Sequence, residues 1–266
     1  MRISILTLSV LTLLSVRYHK PIKMTSKPSW NKNEVIAHRG AWKKNGFPEN
    51  SIASLKEAIR IGCYGSEFDV HMTADSVLVV NHDPVFFGLP IAKVSYQELL
   101  TKKHANGETI PTLETYLKEG TRQKKTKLIL ELKPSNISTE RDFQMTVKAV
   151  AMVKKLKAGR WVDYISFSYD VLKKVQQLEP EANVAYLNGD APLEKLKADG
   201  FYGADYNLSV YKKGEWFGKA RELGLTINAW TVNDARDMDW LLDNKVDFIT
   251  TNEPELLLEK IRSRKP

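Results

Sequence analysis

The chain has 266 residues, 42% hydrophobic and 27% charged, the balance of a soluble globular protein with room for one large domain or two small ones. A single cysteine, Cys63, excludes a disulfide within the chain, and lysines dispersed without interleaved aromatics exclude a nucleic-acid module. The formal net charge of +8 can favour an anionic substrate or a membrane surface, but runs such as Lys124-Lys125-Thr126-Lys127 and Lys154-Lys155-Leu156-Lys157 read as a solvated lysine-rich face.

Ile3 to Val16 is apolar apart from Ser and Thr, and it follows Arg2. It is too short for a stable membrane span and looks like the h-region of a secretory signal. Only one basic residue precedes it, and no small-x-small cleavage site follows. The expectation is a signal-like segment and lead-in over residues 1–32 and export to the periplasm or medium. A start at Met24 would remove the signal and leave the protein cytoplasmic. One domain is expected over residues 33–266.

Val35-Ile36-Ala37 is a short apolar strand running into His38-Arg39-Gly40. Asn50 or Ser51 can cap a helix that carries Leu55, Ala58 and Ile59 on one face and stops at Gly62. Gly65 begins a second strand. Side chains alternate along a strand, so Glu67, Asp69 and His71 point one way and Phe68, Val70 and Met72 the other. Only Ala74-Asp75-Ser76 separates this strand from Val77–Val80. Parallel strands need a crossover of roughly a dozen residues, so these two must form an antiparallel hairpin. Folding it about Asp75 returns His82 and Asp83 beside Glu67 and Phe68.

Pro84 to about Thr109 lacks a strong period and reads as an insertion over the site, with a helical turn within Val94–Leu100. Thr112 and its neighbours open a helix ending at Gly120. Lys127–Leu132 is the third barrel strand, with Leu128, Leu130 and Leu132 on one face and Ile129, Glu131 and Lys133 on the other. Thr139 can cap a helix lined by Phe143, Val147 and Val150. Further strands start near Tyr164, Asn183, Ala204, Thr226 and Asp247, at intervals of about 20 residues, with helical patterns between them. Eight βα units in about 230 residues fit an α/β chain folded as a (β/α)₈ TIM barrel, with a hairpin extension and a small insertion after strand 2. The active site of such a barrel lies at the C-terminal strand ends. His38, Glu67, Asp69, Glu131, Phe167 and Trp230 all fall there.

Three carboxylates, Glu67, Asp69 and Glu131, aimed at one spot repel without a cation, and oxygen ligands without Cys favour a hard ion, Mg²⁺ or Ca²⁺. His38 and His82, near neutrality in pKa, suit one proton taken and one given. His71 should point along the hairpin and be structural. Arg39 and Lys133 add phosphate-binding charge. Trp230, in Asn228-Ala229-Trp230-Thr231-Val232-Asn233, suits a pocket wall against an alcohol or glycerol group. The set describes phosphoryl chemistry better than sugar or acyl chemistry.

His38-Arg39-Gly40, Pro48-Glu49-Asn50-Ser51, Glu67-Phe68-Asp69-Val70-His71, His82-Asp83, Glu131-Leu132-Lys133, Trp230-Thr231-Val232-Asn233 and Phe248–Pro254 together resemble, in order and spacing, the glycerophosphodiester phosphodiesterase family, with its phosphatidylinositol-phosphodiesterase-like TIM barrel. The resemblance runs from about Asn33 to Ile261. It implies metal-dependent hydrolysis of a small-molecule glycerophosphodiester to glycerol 3-phosphate and an alcohol. It further implies Glu67, Asp69 and Glu131 on the divalent cation, His38 and His82 as acid and base, Arg39 and Lys133 on phosphate, and Trp230 on the glycerol side. Glu49 belongs to the motif, although its chemistry places it only at a helix start. Two other readings are a lysophospholipase D-like enzyme, which would need an exposed groove from Val85, Phe86, Phe87, Leu89 and Ile91, and a non-catalytic binding protein on the same barrel.

Overall fold

The computed structural model describes residues 29–135 and 137–264. The signal-like reading of 1–32 and the alternative start at Met24 lie largely outside the described residues. Within them no helix is long and apolar enough to cross a membrane.

Alternation along the strands decides which side chains fill the barrel and which pack beneath the helices. The strands are β1 (Val35–Ala37), β2 (Gly65–Met72), β3 (Leu78–Val80), β4 (Val85–Phe86), β5 (Leu89–Pro90), β6 (Lys127–Leu132), β7 (Val162–Ser166), β8 (Val184–Tyr186), β9 (Gly203–Asn207), β10 (Thr226–Trp230) and β11 (Phe248–Thr251). All of them except β3, β4 and β5 pair in parallel around a closed ring, sealed where β1 lies between β11 (Val35↔Ile249) and β2 (Ile36↔Gly65). The expected eight-stranded barrel is therefore observed among the described residues. β3 returns antiparallel on β2, with Val70 opposite Val80, and stays outside the ring.

On β6, Leu128, Leu130 and Leu132 join the core between sheet and helices, while Ile129 meets Ile36, Ile165 and Leu187 inside the barrel. The helices of that outer layer are α1 (Ile52–Ile61), α2 (Tyr96–Leu99), α3 (Leu113–Gly120), α4 (Thr139–Lys155), α5 (Tyr169–Leu178), α6 (Leu193–Ala198), α7 (Leu208–Tyr211), α8 (Trp216–Leu223), α9 (Ala235–Asp243) and α10 (Pro254–Ser263). Ser51 caps α1 by accepting from the Ser54 amide, and Gly62 ends it in the left-handed region at φ 85°. The α4 cap is Ser138, not Thr139, and its buried stripe is Met145, Ala149, Val150 and Val153, with Val147 exposed. Both stripes fit a helical period. The observed one also buries Thr146, whose hydroxyl is satisfied within the helix by donating to the Asp142 carbonyl at 2.7 Å.

The insertion folds as the β4–β5 hairpin, a 3₁₀ turn and α2 over a satellite core of Phe86, Ile91, Leu99 and Ile110 against Val79. Val85 pairs with Pro90 and Phe86 with Leu89, so Phe87-Gly88 is a two-residue loop with φ of 44° and 83°. Positive φ at both positions is the type I′ requirement, which favours Asn-Gly. A bulky Phe there costs about 1–2 kcal/mol.

Candidate active site

The site is assembled from the end of β1 and the β2–β3 hairpin, with later strand ends closing it. The chain leaves β1 through a sharp reversal, with φ of 57° at Arg39 and 80° at Gly40. No side chain fits at Gly40, where a Cβ would stand 2.4 Å from Ser54 Oγ and 2.7 Å from its backbone carbon. The reversal aims the Arg39 amide at Glu67 Oε2 (2.8 Å) and its guanidinium Nη1 at Glu49 Oε2 (2.5 Å). Arg39 Nε remains buried without a hydrogen bond, 4.0 Å from Asp69 Oδ2.

Glu67, Asp69 and Glu131 are all buried and offer oxygens within 4.8 Å of one another. Register explains this: Asp69 stands opposite Glu131 on paired strands, and Glu67 precedes it by one alternation. One oxygen of Glu67 is held by the Arg39 amide, and one of Asp69 by Asn50 Nδ2 at 2.8 Å. Glu67 Oε1, Asp69 Oδ1 and Glu131 Oε1 are all buried, and of the three only Glu67 Oε1 has neither a hydrogen bond nor an ion pair. Lys133 Nζ lies 3.2 Å from Asp69 Oδ1 and 3.0 Å from Glu131 Oε1, so it neutralises only part of the cluster. Three converging buried carboxylate oxygens that share one ammonium fit a hard divalent cation.

Without a cation, this cluster sets a pH trend in stability. Burial foremost, then repulsion from Asp69, pushes Glu131 up to about 8, and burial with repulsion from Asp69 and Glu131 pushes Glu67 upward too. Burial also pushes Asp69 up, but Lys133, followed by His82 and Asn50, brings it below the ordinary aspartate value. A carboxyl raised on folding stabilises the chain below its unfolded pKa of about 4.3 and loses that contribution as pH rises through the folded value. His38 has the opposite sign. Burial, then Arg39, lowers it to about 4, so its contribution is full above an unfolded pKa of about 6.5 and fades as pH falls. Between about pH 6.5 and 8 the carboxyls therefore dominate. In EDTA, the melting temperature should rise as pH is lowered across that interval. Excess Mg²⁺ or Ca²⁺ should remove or reverse the trend, and a melting temperature in EDTA that climbs with pH would contradict it.

The two catalytic candidates are oriented differently. His38 Nδ1 lies 2.7 Å from Asn252 Oδ1, and its amide donates to Thr251 O at 3.0 Å. With a carbonyl facing it, Nδ1 carries the hydrogen, and Nε2 points its lone pair to the Glu67 side of the cavity. His82 Nδ1 faces Asp83 Oδ1 at 2.7 Å. Strict alternation beyond β3 would turn His82 outward with Val80. Instead the strand ends there, and the His71 ring bonds the His82 carbonyl at 3.0 Å. His82 then lines the same cavity as His38, Arg39, Glu67, Glu131, Lys133 and Trp230. His71 is a positioning residue, in keeping with its structural reading.

This cavity measures about 110 Å³. Its far wall is Trp230, edge-on to Phe167 with centroids 5.4 Å apart and anchored by its Nε1 donating to Asp205 O at 2.8 Å. The structure thus brings together all of the sequence-predicted residues, with Asp69 just behind the cavity lining. A second cavity of about 280 Å³ adjoins it through His82 and is bounded by Glu49, Asn50, Asp83 and the insertion. A third, of about 480 Å³, lies at the opposite, N-terminal end of the barrel strands. Its buried Lys127 and Asp163 are paired with each other at 2.8 Å, and that end of a barrel serves stability.

Three residues escaped the sequence reading of roles. Asn50, at φ 58°, clamps Asp69 twice: through Nδ2 to Oδ2 and through its Oδ1, which accepts from the Asp69 amide at 3.1 Å. Asn252 orients His38, and Glu49 holds Arg39. The one available signal was redundancy, since Ser51 alone suffices as the α1 cap. Asn50→Gly keeps the positive φ and deletes the clamp. It should weaken divalent-cation binding about 10- to 100-fold, the usual cost of losing a ligand's supporting partner, as read by calorimetric titration. Unaltered affinity would show that Asp69 needs no support.

Residues 38–256 match the family model described as the glycerophosphoryl diester phosphodiesterase family. A glycerophosphodiester phosphodiesterase of Caldanaerobacter subterraneus subsp. tengcongensis is 28% identical over 250 residues, covering 87% of this chain and 98% of that protein. The crystal structure of a glycerophosphodiester phosphodiesterase from Parabacteroides distasonis superposes with a TM-score of 0.84 at 44% identity, over 89% of this chain and 99% of that one. An Oleispira antarctica phosphodiesterase, solved in complex with the product sn-glycerol-3-phosphate, gives 0.74 at 25% identity, over 86% and 97%.

Proposed function

The chain belongs to the glycerophosphoryl diester phosphodiesterase family, and from that premise we propose that Glu67, Asp69 and Glu131 hold a divalent cation while His38 and His82 move the protons of phosphodiester hydrolysis. As an enzyme of this family it converts a glycerophosphodiester to glycerol 3-phosphate and an alcohol. The observation that carries the metal assignment is the convergence of three buried carboxylates within 4.8 Å, whose charge Lys133 offsets only in part. A cation of the Mg²⁺ or Ca²⁺ type would supply neutralisation of the phosphoryl oxygens as charge develops.

The chain's own groups do the rest. Arg39, through its unpartnered Nε, and Lys133 bind the phosphate oxygens. Trp230 and Phe167 flank the glycerol unit, and the product bound to the Oleispira relative supports a glycerol phosphate seat in this cavity. His38 is kept neutral by burial and by Arg39, with Nε2 as its free lone pair, and acts as general base on the attacking hydroxyl, whether of water or of the glycerol itself. His82 borders both cavities and protonates the departing alcohol.

Phe86 and Ile91 pack inward, leaving Val85 and Phe87 as the large exposed apolar residues of the insertion. The apolar wall they offer is confined to Val85, Phe86 and Phe87 in the cavity of about 280 Å³, beside Glu49 and Asp83, a setting that favours a small polar alcohol over an acyl chain. We also propose export by the 1–32 segment, which recovery of the activity outside the cytoplasm would support and purely cytoplasmic activity would overturn.

The test is release of glycerol 3-phosphate from glycerophosphocholine and glycerophosphoethanolamine with Mg²⁺, Ca²⁺ or EDTA. Release that needs a divalent ion and stops in EDTA is the expected result. Full activity in EDTA would overturn the role of the carboxylates.

A further inference from the structure

We propose that the cavity on the insertion side of His82 is a subsite for a cationic alcohol, so that glycerophosphodiesters with a quaternary ammonium head group are preferred. The inference rests on the reading above that the alcohol leaves past His82.

The charge of the wall is the first argument. The cavity is lined by Glu49 and Asp83 but by no lysine or arginine, in a chain whose formal net charge is +8. Glu49 is shared with Arg39. Asp83, with its side chain 73% exposed, gives Oδ1 to His82 Nδ1 at 2.7 Å and keeps Oδ2 for a ligand. The inner cavity has the reverse character, with Arg39 and Lys133 placed for phosphate. A zwitterionic diester, anionic at phosphorus and cationic at the head group, matches both cavities at once.

The rings are the second argument. Phe86, Phe87 and His104 meet edge-to-face, with centroids 4.7 Å apart for the two phenylalanines and 5.2 and 5.8 Å from each of them to His104. Aromatic faces beside a carboxylate are the usual seat of a quaternary ammonium, because the ring quadrupole attracts a cation too bulky to be well hydrated. Burial lowers the pKa of His104, which favours a neutral ring compatible with a cation nearby.

The third argument is what the fold gives up for Phe87. It occupies the first position of a turn that favours Asn-Gly, at φ 44° and 56% exposed. The satellite core is filled by Phe86, Ile91, Leu99 and Ile110 without it. A strained, exposed aromatic at the edge of a cavity is accounted for by what the cavity binds.

The experiment compares wild type with Phe87→Asn, which restores Asn-Gly to the turn and should melt at or above the wild-type temperature. kcat/KM is measured for glycerophosphocholine and for uncharged-headed glycerophosphoglycerol under the same metal conditions. Wild type should favour the choline ester about fivefold or more, the size of a single cation–ring contact, and the variant should lose most of that preference through KM. Equal use of the two esters by wild type, or the same preference in the variant, would overturn the subsite and leave the phosphodiesterase assignment standing. Hydrolysis of neither ester by wild type would overturn both.

Discussion

His82→Ala should lower kcat by about 10²- to 10⁴-fold, the range lost when a positioned proton donor is removed. The fold should survive, because the contact that fixes this segment uses the His82 main-chain carbonyl, which accepts from the His71 ring and which alanine retains. Cation binding should also persist, since the oxygens that converge come from Glu67, Asp69 and Glu131. Steady-state kinetics, a calorimetric cation titration and a melting curve read these three outcomes separately. A diester with a p-nitrophenolate leaving group needs no proton on departure. It should therefore recover much of the lost rate in His82→Ala but little in His38→Ala. The opposite pattern would exchange the acid and base, and near-wild-type activity in His82→Ala would remove that residue from the mechanism.

Glu67→Gln should weaken Mg²⁺ or Ca²⁺ binding by about 100-fold or more, beyond the 10- to 100-fold that supporting partners command. The amide keeps an oxygen to accept from the Arg39 N–H, so local geometry is preserved and only charge is removed. In EDTA the same variant should be more stable than wild type near neutral pH, because one of three mutually repelling buried carboxyls has gone. Loss of affinity combined with a gain in metal-free stability is a signature that simple misfolding does not produce. An unchanged cation titration would sink the assignment of this ligand.

The barrel and its active end were legible because both follow from alternation. On β2, Glu67 and Asp69 share a parity, and the short turn at Asp75 forces an antiparallel return that brings the His82 backbone beside them, although alternation alone would have turned its ring outward. What stayed hidden depended on atoms far apart in the chain. Asn252 and His38 are 214 residues apart, and no local pattern marks an asparagine that serves an imidazole rather than a helix end. Asn50 looked like a cap because caps and carboxylate clamps use the same amide chemistry. The buried face of α4 was misjudged, Val150 apart, because the stripe through Phe143 and Val147 and the stripe through Met145, Ala149 and Val153 both fit a helical period, and only packing chooses between them. Phe87 carried no signal, since the identity of its turn became evident only from the register of β4 and β5.

The bond between His38 and Asn252 also gives the two imidazoles different histories during synthesis. His82 is set by Asp83 and by the His71 ring, neighbours in one hairpin that emerge from the ribosome together. His38 gains Thr251 O and Asn252 Oδ1 only when β11 arrives to close the ring beside β1. Until that strand is in place the His38 imidazole lacks its Asn252 partner, whereas the partners of His82 lie within its own hairpin. The orientation of His38 therefore depends on closure of the ring by its last strand, and that of His82 does not.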